Sequence, residues 1–303
     1  MLEIKSIVCP VDFSDFSARA YHHALSLAEH YRAKLVAQHT IELAHYPYAD
    51  YAASAGDYEG FTRAMREGGK EQLREFVKKH AQGEIQPELV VSQGAAPDCI
   101  LSFAKERKMD LIVMGTHGRR GLDRLMLGTT TDRVMRRSSC PVLAVSKTPP
   151  EFLPPNSTLD ATAREQQHHV HRLNRIVYCT DFSENSERAL NYAISATREY
   201  DAELTMLHVL ERADAAGKEE IVAAAARQLD KLIPPEERNR LKIKTEVRVG
   251  KSYEQIIQHA EDERIELVVM AVRGRGALNL AVFGSTTYRV MQLGPCPVLA
   301  VHI

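Results

Sequence analysis

Three glycines and two threonines in the first half of the chain are spaced as a phosphate-binding loop requires. Gly115 and Gly118 lie close together, nine residues separate Gly118 from Gly128, and Thr129 and Thr130 follow at the start of a helical pattern. Because glycine has no Cβ, backbone N–H groups at these positions can approach phosphate oxygens, and the free amides of a helix N-terminus favour the same anion. The pattern predicts an anion site, although glycines that only shape a loop and a helix cap would be spaced in the same way.

The chain contains two copies of one sequence pattern. Residues Ile7–Ser14 correspond to Ile176–Ser183 at an offset of 169, and Cys140–Val145 recurs letter for letter as Cys296–Val301 at an offset of 156. The first copy is therefore 13 residues longer, and we place the extra residues in the stretch 45–56, which keeps no apolar period. Such self-similarity indicates that one fold is built twice.

Length and composition agree with two domains. A chain of 303 residues suits two domains of about 150 residues each. Between the copies, Pro149, Pro150, Pro154 and Pro155 lie among polar residues, which favours an extended linker. We expect a first domain over residues 1–147, a linker over 148–172 and a second domain over 173–303.

Short β-branched runs alternate with longer amphipathic stretches in both copies. Strict alternation of strand and helix predicts an α/β fold with a parallel sheet and helices on both faces, because parallel neighbours need a crossover helix. In the first copy the predicted strands are Ile4–Val11, Lys34–Ile41, Ile85–Val91, Leu111–Met114 and Val142–Val145, and helical patterns begin at Ser17, Gly60, Ala96 and Gly128.

Two further repeated features accompany the glycines. An aspartate follows the first predicted strand of each copy, at Asp12 and Asp181, and the second strand ends in His39-Thr40 or His208-Val209. With the glycine–threonine spacing, these features resemble the universal stress protein family over essentially the whole chain, twice. The resemblance implies two tandem Rossmann-like domains of the adenine nucleotide alpha hydrolase type, each with a five-stranded parallel sheet, and ATP across the carboxyl ends of the strands.

The resemblance also assigns roles to individual positions. In the first copy, the residues implied for the adenine and ribose end are Pro10, Val11, Asp12, Thr40, Met114 and Gly115, and those for the phosphates are Gly118, Gly128, Thr129 and Thr130. The matching residues of the second copy are Asp181, Val209, Met270, Gly274, Gly284, Ser285 and Thr286. Ala271 stands where the first copy has Gly115. A β-carbon there restricts positive φ and narrows the gap to the sugar, so we expect weaker binding in the second copy.

Several of these and neighbouring residues have a second interpretation. An aspartate at a strand end can simply cap the following helix, and the repetition of Asp12 as Asp181 does not separate the two roles. Arg119 and Arg120, and Arg273 and Arg275 in the second copy, could pair with phosphate, but a solvated loop arginine is the more ordinary case for each of them.

Histidine and cysteine patterns do not predict a metal or redox site. His168, His169, His171 and the pair His22-His23 have no Cys or carboxylate set at ligand spacing, so we predict no metal site. The five cysteines are dispersed without a CxxC pair and are expected to be buried thiols in a reducing compartment.

Charge and hydropathy exclude several classes of partner. The formal net charge of -1 gives no reason to expect nucleic acid, and no long apolar stretch or signal peptide is present, which favours a cytoplasmic protein without a membrane partner. The identical Val-Leu-Ala-Val segments 142–145 and 298–301 are expected to pair as edge strands. This would give an intramolecular pseudo-dimer and leave any homodimer to another surface.

No catalytic constellation is present in the sequence. It contains no Gly-x-x-x-x-Gly-Lys-[Ser/Thr] loop and no nucleophile–base pattern. The absence of these motifs favours binding over turnover, and the resemblance to universal stress proteins implies a stress-response regulatory module that binds ATP or a related adenine nucleotide, with or without Mg²⁺, and acts on an unidentified protein partner. A slow ATPase or nucleotidyl-transfer enzyme and a nucleotide-free interaction scaffold are the alternatives.

Overall fold

The chain forms two compact units, residues 4–140 and residues 141–303. The computed structural model describes residues 4–42, 58–81, 84–117, 127–146, 173–211, 218–272 and 284–302. These units are defined by the compactness of the chain and not by the sequence repeat. They do not test the domain boundaries expected from the sequence, which stay a prediction.

The first unit alternates strand and helix throughout its described residues. Its elements are β1 (Ser6–Pro10), α1 (Asp15–Tyr31), β2 (Lys34–Ile41), α2 (Tyr58–Lys79), β3 (Glu88–Gln93), α3 (Ala96–Glu106), β4 (Leu111–Gly115) and α4 (Thr129–Arg137). The strand order is β3-β2-β1-β4, and every pairing is parallel.

Neighbouring residues of β2 show that helices cover both faces of this sheet. The His39 side chain lies against Gly69 of α2, whereas Gln38 donates from Nε2 to the carbonyl oxygen of Cys99 in α3 at 3.3 Å. Successive side chains of a strand point to opposite faces. Helices α2 and α3 therefore lie on opposite faces, as the alternating pattern predicts.

The second unit repeats this plan, and its described residues contain two additional strands, the first and the last of the unit. Its elements are β5 (Val142–Val145), β6 (Arg175–Thr180), α5 (Glu184–Tyr200), β7 (Glu203–Leu210), α6 (Lys218–Leu232), β8 (Lys242–Val249), α7 (Ser252–Asp262), β9 (Leu267–Ala271), α8 (Ser285–Leu293) and β10 (Val298–Val301). The order is β5-β10-β9-β6-β7-β8.

Five strands of this unit, β6 to β10, form a parallel sheet, and β5 joins its edge in the opposite direction. Leu299 pairs with Leu143, and Val298 with Ala144. The two identical Val-Leu-Ala-Val segments are thus paired, as expected from the sequence. The predicted α/β class with tandem Rossmann-like folds is confirmed.

The hydrophobic core explains the runs of consecutive apolar residues. All five residues of β4 and all five of β9 are buried. A strand of a parallel sheet covered on both faces has no solvent side, so it is apolar throughout rather than at alternate positions. Within the described residues, no helix is both long and apolar enough to span a membrane.

Strand β3 departs from its predicted bounds. It was expected at 85–91 and begins instead at Glu88, directly after Pro87. Proline has no N–H to donate to a ladder, so pairing starts at the next residue.

Candidate functional site

The predicted site residues that the structure describes gather at one edge of each sheet. In the first unit, Pro10 ends β1, Thr40 lies near the end of β2, and Met114 and Gly115 end β4. Parallel strands present their carboxyl ends at a common edge, which is where open α/β sheets bind ligands. Helix α4 begins after the same strand ends, at Thr129. The second unit places Asp181, Val209, Met270, Gly284, Ser285 and Thr286 in the same way.

The turn between β1 and α1 is ordered by Asp12. Its Oδ1 accepts hydrogen bonds from the Ser14 amide at 3.0 Å and from the Ser14 hydroxyl at 2.6 Å. Ser14 is the N-cap of α1, and its Oγ accepts from the Ser17 amide at 3.2 Å. The capping role considered for Asp12 thus belongs to Ser14, while Asp12 fixes the turn that presents its own carboxylate at the sheet edge.

The second unit reproduces this turn almost to the tenth of an ångström. Oδ1 of Asp181 accepts from the Ser183 amide at 3.0 Å and from its hydroxyl at 2.6 Å, and Ser183 caps α5. Phe13 and Phe182, which follow the aspartates, have φ of 66° and 59°. This left-handed conformation costs a non-glycine residue about 1–2 kcal/mol, so the surrounding contacts must impose it.

A histidine on the second strand supplies those contacts, a role that the sequence did not reveal. The His39 ring lies 4.4 Å from the Phe13 ring, and its Nδ1 is 2.8 Å from the carbonyl oxygen of Val11. His208 packs on Phe182 at 4.3 Å and reaches the Thr180 oxygen at 2.8 Å. Because a carbonyl only accepts, Nδ1 must carry the proton in both rings. The histidine therefore ties β2 to the end of β1.

Gly115 lies so close to helix α1 that a side chain would not fit. This is a different reason for glycine from the one that the sequence suggested. A Cβ at Gly115 would lie 2.9 Å from Phe16 Cβ and 3.0 Å from the carbonyl carbon and oxygen of Phe16. Its φ is not in the positive range, and the described glycines with positive φ are Gly94 and Gly250. Because Gly115 has no side chain, the backbone of α1 fits against it. The expectation that a Cβ at this position would be strained by a positive φ was therefore wrong.

The start of α4 is tied to the end of β4 by two hydrogen bonds. The Gly128 amide donates to the carbonyl oxygen of Thr116 at 2.8 Å, and the Thr131 hydroxyl donates to that of Gly115 at 2.8 Å. In the second unit, the Gly284 amide donates to Val272 at 3.0 Å and the Thr287 hydroxyl to Ala271 at 2.9 Å. These threonines were missed as site residues, although the matching Gly-Thr-Thr-Thr and Gly-Ser-Thr-Thr segments contained the signal.

Helix α4 begins at this edge, and no described side chain occupies its first amides. Ser14 caps α1, and Glu42 Oε1 accepts from the Ala96 amide of α3 at 2.8 Å. The N-cap of α4 is Gly128, which has no side chain, and among the described residues no side chain caps this helix. Thr129 is exposed and Thr130 half-buried. Their amides and hydroxyls therefore form a ready anion-binding group.

Electrostatics differ between the two units. Asp132, in the first turn of α4, pairs with Arg136 one turn later at 2.9 Å. The equivalent position of α8 is Tyr288. An acidic side chain in the first turn opposes the attraction of the helix N-terminus for an anion, so the second unit lacks one repulsive charge that the first has.

Some predicted residues cannot be placed. Gly118, Gly274, the loop arginines and the linker histidines lie outside the described residues. Within the described part of the chain, no group of three or more His, Cys, Asp or Glu side chains could hold a metal. All five cysteines are free; four are buried and Cys99 is half-buried. Burial raises the pKa of the Cys296 thiol to about 12.

Comparison with known proteins agrees with this architecture. A model of the universal stress protein family matches residues 3–146 and 172–302. A universal stress protein of Methanocaldococcus jannaschii is 34% identical over 143 residues, which are 47% of this chain and 82% of that protein. One from Bacillus subtilis is 32% identical over 139 residues, 45% of this chain and 94% of that protein.

A solved structure extends the likeness to both halves at once. The crystal structure of a universal stress protein from Archaeoglobus fulgidus covers 99% of this chain and 98% of its own, with a TM-score of 0.68 and 18% identity. At that identity the likeness concerns the fold. Because the family model matches the chain in two consecutive segments that together span most of its length, the chain belongs to the universal stress protein family and carries the family's domain in tandem.

Proposed function

We propose that this protein binds ATP or a related adenine nucleotide and acts as a regulatory module in the stress response rather than as an efficient enzyme. The observation that carries the proposal is the Gly-Thr start of α4, which no described side chain caps and which lies at the same sheet edge as the Asp12 turn. An anion site and a hydrogen-bonding carboxylate at one edge suit the phosphate and sugar ends of a nucleotide.

The phosphate end would be held by the helix start. The amides of Thr129 and Thr130 and their hydroxyls would donate to phosphate oxygens, while Gly128 keeps the approach free of a side chain. The Gly128 amide donates to Thr116, so it shapes the site and leaves the phosphate to the next two residues. Gly118 remains a proposed member of the loop. Mg²⁺ would accompany the triphosphate.

The base and ribose end would lie at β1 and β2. The Asp12 carboxylate is held by Ser14 through one oxygen, which fixes its orientation for accepting from a ribose hydroxyl. Thr40, which is half-buried, and the segment Pro10–Val11 would line the base. In the second unit, Asp181 and Val209 would take these roles with Met270, Gly274, Gly284, Ser285 and Thr286.

Regulation is favoured over turnover by the chemistry at this edge. The Asp12 and Asp181 carboxylates are engaged by serines that cap helices, and Asp132, the carboxylate in the same first turn as the threonines of α4, is paired with Arg136. Bound nucleotide would act by stabilising one conformation or assembly over another, in proportion to its differential affinity for the two.

A charge placed at the helix start tests the proposal. Thr129→Asp puts a carboxylate at the exposed first position of α4, where it stabilises the helix but repels phosphate. We expect ATP affinity, measured by calorimetry on nucleotide-stripped full-length protein, to fall at least about tenfold, or ~1.4 kcal/mol. Thr129→Asn is the matched neutral control. Equal affinity of the two variants would contradict the phosphate position, and absence of ATP binding by the parent would contradict the function.

The same design assigns the sites to the two units. Ser285→Asp makes the equivalent change in α8, so each variant should remove one site from the stoichiometry. We propose, as expected from the sequence, that the first unit binds more tightly, because the Cβ of Ala271 narrows the gap to the sugar in the second unit while Arg136 offsets the charge of Asp132 in the first. The residual site of Thr129→Asp should then be the weaker one. Loss of the tighter site in Ser285→Asp would reverse this assignment, and an ATP hydrolysis rate abolished by Thr129→Asp would favour the slow ATPase.

A further inference from the structure

Two histidines from different helices of the first unit meet outside the site described above. His22 lies within α1, and His80 directly follows the last residue of α2, Lys79. Nδ1 of His80 is 3.2 Å from Nε2 of His22, across a sequence separation of 58 residues. Both rings are half-buried, so they are fixed by neighbours and still reachable from solvent.

Aromatic packing holds the pair in place. The His80 ring lies 4.7 Å from the ring of Phe76, which itself packs on Tyr21 at 5.5 Å. Tyr21 precedes His22 in α1 and is fully buried, as is Leu73 of α2. The two helices therefore cannot slide easily past each other, and the two ring nitrogens face one another in a preorganised arrangement.

The separation of the two nitrogens matches that of two imidazoles bound to one metal ion. Zinc–nitrogen bonds of about 2.0–2.1 Å at a tetrahedral angle separate two ligand nitrogens by about 3.3–3.4 Å. The observed 3.2 Å needs to increase by only about 0.1–0.2 Å to reach this separation. In the hydrogen-bonded pair one of the two nitrogens carries a proton. On metal binding that ring would change tautomer and move the proton to its other nitrogen, so that both facing lone pairs bind the ion. We propose that His22 and His80 form a binding site for a divalent transition-metal ion.

Charged neighbours of both signs lie near this pair. The carboxylate of Asp15, on α1, and the ammonium of Lys79 both act on the His80 ring, so the two imidazoles, rather than the local charge, would provide the affinity for a cation. Imidazole suits Zn²⁺, Ni²⁺ and Cu²⁺ and does not suit Mg²⁺ or Ca²⁺. Water would complete the coordination.

The second unit provides an internal contrast. At the offset of the first strands, Asn191 of α5 occupies the position of His22. In α6, the fully buried Leu229 matches the fully buried Leu73 of α2, which gives an offset of 156 for this helix. At that offset, Glu236 takes the position of His80. The histidine pair therefore belongs to the first unit. The substitution His22→Asn introduces the residue that the second unit has at the equivalent position, Asn191, so the fold should tolerate it.

The experiment measures Zn²⁺ binding by calorimetry on full-length, tag-free, nucleotide-free protein. His168, His169 and His171 are first replaced by Gln, so that the linker histidines contribute nothing. In this background we expect Zn²⁺ to bind and to raise the Tm, because a ligand of the folded state stabilises it. His22→Asn and His80→Gln should each weaken Zn²⁺ at least tenfold and remove the Tm rise, whereas His30→Gln, also in α1, should change neither.

Two outcomes would overturn the proposal. The background protein could bind no more Zn²⁺ than Mg²⁺, or His22→Asn could retain its affinity. Should His80→Gln fail to fold, His22→Asn carries the test, with circular dichroism as the check on folding. NMR of ¹⁵N-histidine-labelled background protein adds an independent measurement. Zn²⁺ should shift the ring nitrogens of His22 and His80 and leave those of the other histidines unchanged, and the reverse pattern would refute the site.

Discussion

Replacing Gly115 with alanine should destabilise the first unit by forcing α1 away from β4. The new Cβ would lie 2.9 Å from Phe16 Cβ and 3.0 Å from the backbone carbonyl of Phe16, where ordinary contacts are 3.4–4 Å. The obstacle is helix backbone, so no side-chain rotation relieves it, and α1 must retreat locally by about half an ångström or more. Overpacking of this kind costs about 1–3 kcal/mol.

The measurement is urea unfolding of the full chain, combined with native-state hydrogen exchange. With an m-value of about 2 kcal/mol per M, a loss of about 2 kcal/mol lowers the midpoint by about 1 M. Exchange should accelerate in peptides from α1 and β4 and remain unchanged in α5 and β9, where Ala271 already carries the methyl group. A general loss of structure would accelerate both sets.

Gly68→Ala is the matched control. Gly68 lies in α2 of the same unit, and a Cβ there meets nothing within 4 Å. Alanine in an exposed helix interior stabilises by about 0.5–1 kcal/mol relative to glycine, so the two substitutions should have opposite signs. If Gly115→Ala left the midpoint unchanged or raised it like Gly68→Ala, the close approach of α1 to β4 would be refuted.

Three other predictions concern caps, thiols and pH. Ser14→Ala removes the N-cap of α1 and should lower the free energy of unfolding by about 1 kcal/mol in urea titrations; no loss would mean that Asp12 alone suffices. Alkylation followed by mass spectrometry should label half-buried Cys99 before the four buried thiols, whose pKa is raised by burial; uniform labelling would contradict this. Burial lowers the pKa of His259, so the unfolded state takes up the proton first and stability should fall as pH drops below 6.5. His259→Phe, which copies Phe103 of the first copy, should flatten that pH dependence, and an unchanged slope would exclude His259 as its source.

The sequence predicts the fold because its signals are local and repeated. Strand β2 has the predicted bounds, Lys34–Ile41, and the Val-Leu-Ala-Val segments are strands as expected. The carboxyl edge of the sheet then follows from the parallel topology, which brings Asp12 and Gly115 together without any knowledge of side-chain contacts.

What the sequence could not supply depends on how helices lie on the sheet. The spacing of Gly115 indicated that a side chain is excluded, but only the position of Phe16 shows that helix backbone fills the space. Likewise, the bond from the Thr131 hydroxyl to Gly115 requires knowing where α4 starts relative to β4. His22 has a partner 58 residues away, and no spacing rule reaches across a loop of unknown course.

The tandem arrangement changes what a single mutation can do. In an assembly of two identical chains, one altered codon appears in both binding sites, so neither can change without the other. Here the equivalent positions hold Gly115 and Ala271, Asp132 and Tyr288, or His22 and Asn191. Each half can therefore drift, specialise or lose an affinity on its own, while translation of one message still delivers both halves in a one-to-one ratio.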